Sequence, residues 1–308
     1  MKQPLYNPII QRNPGDRTGT SGLQKSTIAE IGRRVDVLEK EVLALFDAVQ
    51  YLTLNADYLY SMTLQQQMEF NDAISEAVTQ SYGLDKGPQE WWYGEVVLAA
   101  ATKGAAQTAA NLANMSPIYA GDRAIEDIVN SQPFLDRVAK ARLKSYEHWT
   151  NLGATAKNTL AQTVMQSIAL GENPKIARKR IQERLSVSKS DAARYAQTDI
   201  TDTLRQAKMA ESQEASEKYG LKLGQLWASA LLPTTRHTHA VRHGRVYTID
   251  EVQAFYSKDG NRYNCHCSVT EILLDDAGEP LLAEKTKERM SDDRKAWRDS
   301  VDMGPQQE

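Results

Sequence analysis

Apolar residues recur at alternating steps of three and four from Ile28 onward: Ile28, Ile31, Val35, Leu38, Val42, Leu45, Val49 and Leu52. This a/d spacing predicts a helix of about four heptads. Thr27 and Glu30 have the spacing of a capping box at its start. Two readings fit the repeat: a helix docked on its own domain, and a coiled-coil or partner-docking helix. Ahead of it, residues 1–25 carry Pro4, Pro8, Pro14, Gly15, Gly19 and Gly22 and read as an extended arm. A second helix is predicted over 64–82, ending at Gly83. Trp91 and Trp92 open a third, and its Ala99, Ala100, Ala101, Gly104, Ala105, Ala106, Ala109, Ala110 and Ala113 let helix axes approach closely. Pro117 stops it. Helices continue from Pro133 through Leu170, then break at residues 171–174. A short basic helix follows from Lys175 to Leu185, and Ser188 caps a long one to about Tyr219.

After Gly220 the period changes. Leu221 to Ser229 partly alternates and reads as a strand, with further short strands at 245–247 and 268–273. Thr248-Ile-Asp-Glu251 predicts a capped helix through Tyr256, and Lys258 to Asn261 a turn. Residues 279–300 form a charged helix and 303–308 a tail. The expected fold class is α+β, mostly α. Its parts are an arm (1–25), a helical domain (26–220), a small α+β module (221–275), and a charged C-terminal helix with tail (276–308).

Composition changes this picture little. The chain is 41% hydrophobic and 25% charged, as in globular proteins. A net charge of -3 supplies no global pull toward nucleic acid or membrane. From Pro133 to Arg184, however, ten Lys or Arg face four Asp or Glu. That run is either a solvated helical face or a non-specific contact to double-stranded DNA through Lys175, Arg178, Lys179, Arg180 and Arg184. No run of about 18 apolar residues occurs, so no membrane span is expected, and no apolar core of signal-peptide length stands near the start. Two cysteines one residue apart make no disulfide framework and fit synthesis in a reducing cytoplasm.

Four of the five histidines lie between residues 237 and 266, with both cysteines. Imidazole and thiolate are preferred zinc ligands, so His239, His243, Cys265 and Cys267 are candidate metal ligands. Cys-x-Cys is tighter than the usual zinc knuckle, and Gly244 interrupts any helix carrying both histidines. The same residues can instead pack a small core. A Cys–His nucleophile pair and a metal-assisted nuclease are the enzymatic options. No clustered carboxylates support the second, and no P-loop, dinucleotide fingerprint, serine elbow or zinc-protease helix motif is present.

The order Trp227, Arg236-x-x-His239, Gly244, and Asn264 before Cys265-x-Cys267 resembles the phage Mu F-like minor head (head-morphogenesis) protein family. Ala193-Arg-Tyr-Ala-Gln-Thr-Asp-Ile200 resembles that family's upstream helical element. The resemblance covers roughly residues 150–275. This chain departs from the pattern at Leu231–Thr235, where an Asp is usual, at Arg262, where a His is usual, and at His266, where an Arg is usual. The resemblance implies a non-enzymatic virion protein, made in the host cytoplasm and placed inside the capsid near the portal vertex. Its implied partners are the portal protein, scaffold or major capsid protein, and packaged DNA, with a role in head morphogenesis or DNA ejection. In this picture Trp227, Arg236, His239, Gly244, Cys265 and Cys267 are structural motif residues. The alternatives are a metal-dependent nuclease or toxin-like effector using the His/Cys cluster, and a DNA-binding packaging factor.

Overall fold

The computed structural model describes residues 4–54 and 57–301. The first three residues of the expected arm and the expected tail lie outside the described residues. Among the described residues 67% are helical and two small antiparallel sheets are present, so the fold is α+β, mostly α. Contacts divide the chain into two units, one of residues 24–96 and 140–196, the other of residues 1–23, 97–139 and 197–308.

The first unit is built on α1 (Ser21–Asp47), which starts six residues before the expected Thr27. The carboxylate of Asp16 accepts from the backbone N–H of Thr20 and Ser21 at the start of the helix, at 2.8 and 3.1 Å. Thr27 is instead buried within the helix. Ile31, Val35, Leu38 and Val42 form the buried stripe with Phe46, while Ile28 is exposed. The heptad repeat then ends. Tyr51-Leu-Thr-Leu54 favours extended backbone and forms β1 (Tyr51–Leu54) against β2 (Asp57–Tyr60). The last expected heptad residue, Leu52, therefore stands in a hairpin opposite Leu59.

The two faces of this ribbon differ. Tyr60 donates to the Glu172 carbonyl at 2.8 Å, the Asn173 amide donates to the Tyr58 hydroxyl at 3.1 Å, and Tyr51 packs against both tyrosine rings. Leu52 and Leu59 lie on the opposite face, 68% and 64% exposed.

A Thr63–Gln66 capping box starts α2 (Leu64–Ser81). Trp91 and Trp92 do not open the next helix. Both indole N–H groups donate to the Tyr82 carbonyl just past the end of α2, and both rings pack on Trp149. The helix α3 begins after them (Gly94–Met115). Pro117 ends α3 and takes the first position of α4 (Pro117–Asp122), where its missing N–H costs nothing. After α5 (Ile125–Val129) come α6 (Gln132–Ala169) and α7 (Pro174–Tyr219). The expected break between Leu185 and Ser188 is absent. No Gly or Pro interrupts α7 after Pro174, and the Ser190 hydroxyl donates to the Ser186 carbonyl inside the helix.

The second unit holds a sheet of β3 (Leu223–Ala228), β4 (Val246–Tyr247) and β5 (Ser268–Leu273), in the order β4-β3-β5 and antiparallel throughout. In α3, a Cβ at Gly104 would lie 2.4 Å from the Leu204 carbonyl of α7, so only glycine permits this approach. Residues of the expected extended arm pack here. Tyr6 exchanges backbone hydrogen bonds with Leu281 and Ala283, and the buried Arg17 guanidinium donates to the carbonyls of Ser229, Gln11 and Arg12. That pairing keeps residues 280–283 extended, so α10 (Glu284–Ser300) starts five residues later than expected.

Gln225, Trp227, Val269 and Glu271 share one sheet face by register. Glu271 is fully buried there, accepting from the Thr108 hydroxyl at 2.8 Å and the Asn111 amide at 3.2 Å. Lys208, also buried, is its countercharge; burial lowers the lysine pKa and Glu271 opposes that. Removing one partner strands the other in a low-dielectric core. Glu271→Gln is expected to destabilise the fold by roughly 3–5 kcal/mol, measured as a drop in the denaturant unfolding midpoint.

Candidate functional site

The site lies beside the Trp227 side of the sheet. The indole of Trp227 stacks on Tyr256, ring centroids 5.2 Å apart and 16° from parallel. Phe255 and His239 meet it edge-on. Tyr256 and Phe255 are delivered by α9 (Ile249–Tyr256), whose Thr248–Glu251 capping box forms as the sequence predicts.

His239 sits on the single-turn helix α8 (His237–Ala240), with Arg236 at its N-cap. The Arg236 guanidinium reaches the carbonyls of Asn261 and Tyr263, at 3.4 and 2.9 Å, and so fastens α8 to the loop that leads into the cysteines. Gly244 closes the turn after α8 with φ +78°, a conformation that strains any L side chain. Its N–H donates to the Trp227 carbonyl at 2.9 Å. Asn264 adopts φ +52°, which asparagine tolerates better than most residues.

Cys265 and Cys267 are both buried, and their neighbour His266 turns away to the Gln197 amide at 2.7 Å. Residues i and i+2 share a face in extended chain, so the Cys-x-Cys spacing brings both sulfurs to one side. His239 Nδ1 lies 3.4 Å from Cys265 Sγ and 3.7 Å from Cys267 Sγ. His239 is 2% exposed, Cys265 3% and Cys267 2%, so these three form a closed cluster.

The groups around the cluster are polar and fixed. Tyr256 Oη lies 3.5 Å from Cys265 Sγ, and Ser229 Oγ 3.4 Å from Cys267 Sγ. The Arg205 guanidinium, fully buried, stacks 4.0 Å over the Tyr256 ring and pairs with Asp202 at 2.6 Å. A hydrogen bond from Cys267 and the nearby Arg205 charge hold the Cys265 thiol well below its ordinary range, against the effect of burial. The same bond, with burial, pushes Cys267 well above it.

His243, expected beside His239, is elsewhere. Its Nδ1 accepts from the Ser229 backbone N–H at 2.9 Å, and its carbonyl accepts from Arg294 at 3.0 Å. The chain turns at His243 and Gly244, so the helical spacing of four does not apply. His237 packs near Trp297.

The sequence profile described as Phage Mu protein F like protein matches residues 158–270. This stretch is Mu F-like. Comparison with curated proteins and with solved structures gave no match. The Mu F-like stretch holds all six motif residues, and the structure brings Trp227, His239, Cys265 and Cys267 into one cluster braced by Arg236 and Gly244. Arg17, Ser229, Tyr256, Asn261 and Arg205 complete its surroundings and carried no signal in the sequence.

The five candidate DNA-contact residues also lie in the Mu F-like stretch, at the start of α7. Lys175, Lys179, Arg180 and Arg184 are exposed. Arg178 pairs with Asp47, Arg180 with Glu172 at 2.8 Å, and Lys179 approaches Glu183 at 3.9 Å. No helix among the described residues is long and apolar enough to cross a membrane.

Burial, with Arg17, Arg294 and Arg289 nearby, brings the His243 pKa down to about 3. An unfolded chain protonates this group near pH 6.5. Between these values the unfolded state binds the extra proton, so stability falls as pH drops, by up to about 1.4 kcal/mol per pH unit. The His243 ring is expected to stay neutral at pH 5 by nitrogen NMR; a midpoint near 6.5 would contradict its placement.

Proposed function

We propose that this chain is a phage minor head protein with a structural role in head morphogenesis, docking on the portal during assembly and lying inside the capsid near the portal vertex. The Mu F-like match supports a phage head protein. The observation that carries the docking role is the two-faced hairpin. Its tyrosine face is anchored, whereas Leu52 and Leu59 stand out in register on the other. Leu64 and Met68, four residues apart at the start of α2, are 74% and 60% exposed. Large apolar side chains left exposed on a ribbon face and at a helix start suit a surface that a protein partner covers. Scaffold and major capsid protein are the further partners of this reading.

A role in catalysis fits the site less well. A nuclease metal must meet a phosphate, and the His239, Cys265 and Cys267 side chains are enclosed. A supporting role in holding packaged DNA rests on exposed Lys175, Lys179, Arg180 and Arg184, through contacts that weaken with salt. Arg178 belongs to the same face but is engaged with Asp47.

Co-expression with the portal protein of the same phage tests the docking role. The wild-type chain is expected to co-purify with portal. Leu52→Glu combined with Leu59→Glu is expected to cut capture about tenfold or more, equivalent to roughly 1.4 kcal/mol or above, with an unchanged circular dichroism spectrum. Absence of wild-type association, together with absence of the protein from purified particles, would sink the reading.

A further inference from the structure

We propose that His239 Nδ1, Cys265 Sγ and Cys267 Sγ are three ligands of a structural zinc ion that ties α8 to the start of β5.

The first observation is distance. Zinc holds thiolate sulfur at about 2.3 Å and imidazole nitrogen at about 2.0–2.1 Å in a tetrahedron, which sets a nitrogen–sulfur edge of about 3.6 Å. The two edges here are 3.4 and 3.7 Å. All three ligand atoms lie within 4.8 Å of one another.

The second observation is the direction of the imidazole lone pair. The Asn261 amide nitrogen donates to the Phe255 carbonyl at 3.0 Å, which fixes the amide and turns Oδ1 toward His239 Nε2 at 3.3 Å. An amide oxygen only accepts, so Nε2 carries the proton. Nδ1 is then left with its lone pair facing the two sulfurs. Orienting a ligand histidine through its far nitrogen is how outer contacts prepare metal sites.

The third observation is the mounting. Arg236 binds the Asn261 and Tyr263 carbonyls, so the helix carrying His239 and the loop carrying the cysteines are held as one piece. His239 is separated from the two cysteines by 26 and 28 residues of chain, and a shared ion closes that loop. A soft thiolate-rich set selects zinc over hard cations such as magnesium or calcium. The fourth ligand is an oxygen from solvent, from Ser229 or from Tyr256, whose hydroxyls already touch the sulfurs. His243 takes no part, because its Nδ1 is committed to the Ser229 N–H.

The full-length protein, purified under reducing conditions from zinc-supplemented cells, is expected to carry about one zinc per chain in its native mass spectrum, lost on acidification. Cobalt added to the chelator-stripped protein is expected to give the thiolate-to-cobalt charge-transfer band and the intense visible bands of a tetrahedral site. Both signals should disappear in the Cys265→Ser, Cys267→Ser double variant. A metal-free native mass, with no charge-transfer band from wild-type protein in excess cobalt, would overturn the proposal without relying on any variant. Zinc retained by the double variant would also overturn it, by placing the metal elsewhere.

Discussion

The indole of Trp227 lies flat against Tyr256, and its position constrains the groups around it. A stacked pair buried this deeply gains from both area and ring geometry. Tyr256 must then come from a helix ending at that point, which the Thr248–Glu251 capping box starts at the right distance. The guanidinium of Arg205 covers the outer face of Tyr256 at 4.0 Å, adding a cation–π contact and bringing a positive charge beside Cys265. His239 closes the ring of edges around Trp227 and Phe255. Trp227, His239, Cys265 and Cys267 are thus neighbours in one buried cluster.

Buried polar groups bind the sheet to its helices. Glu271 joins β5 to α3 through Thr108 and Asn111, and Gln225 joins β3 to α7 through Ser212 at 2.9 Å. Such groups cost free energy unless they are satisfied, so their pairing fixes which helix lies against which strand. Gly104 sets how near α3 comes to α7. Together these contacts hold the sheet face from which Trp227 projects.

The sequence made local structure readable where it depends on neighbours within a few residues. The helix over 64–81, the break at 171–174, the strand at 268–273 and the capped helix at 249–256 follow from period and capping. Some local features are hidden where a stronger pattern overlies them. Asp16 lies in a stretch rich in Gly and Pro, which hides its bonds to the start of α1. The hairpin at Tyr51–Tyr60 was masked because Leu52 happened to continue a heptad repeat. In the site, the Cys-x-Cys pair and His239 were legible as a group. His243 was not separable from them, since only the turn at Gly244 and the N–H of Ser229 remove it. Asn261 and Arg205 are common polar residues whose roles exist only in three dimensions.

His239 joins the aromatic cluster to the two sulfurs, with Nε2 facing the Asn261 amide oxygen and Nδ1 facing Cys265 and Cys267. Nitrogen NMR of the imidazole in the full-length protein at neutral pH reports this directly. The expected result is a single Nε2–H tautomer at His239, with Nδ1 unprotonated. A proton found on Nδ1 would contradict it.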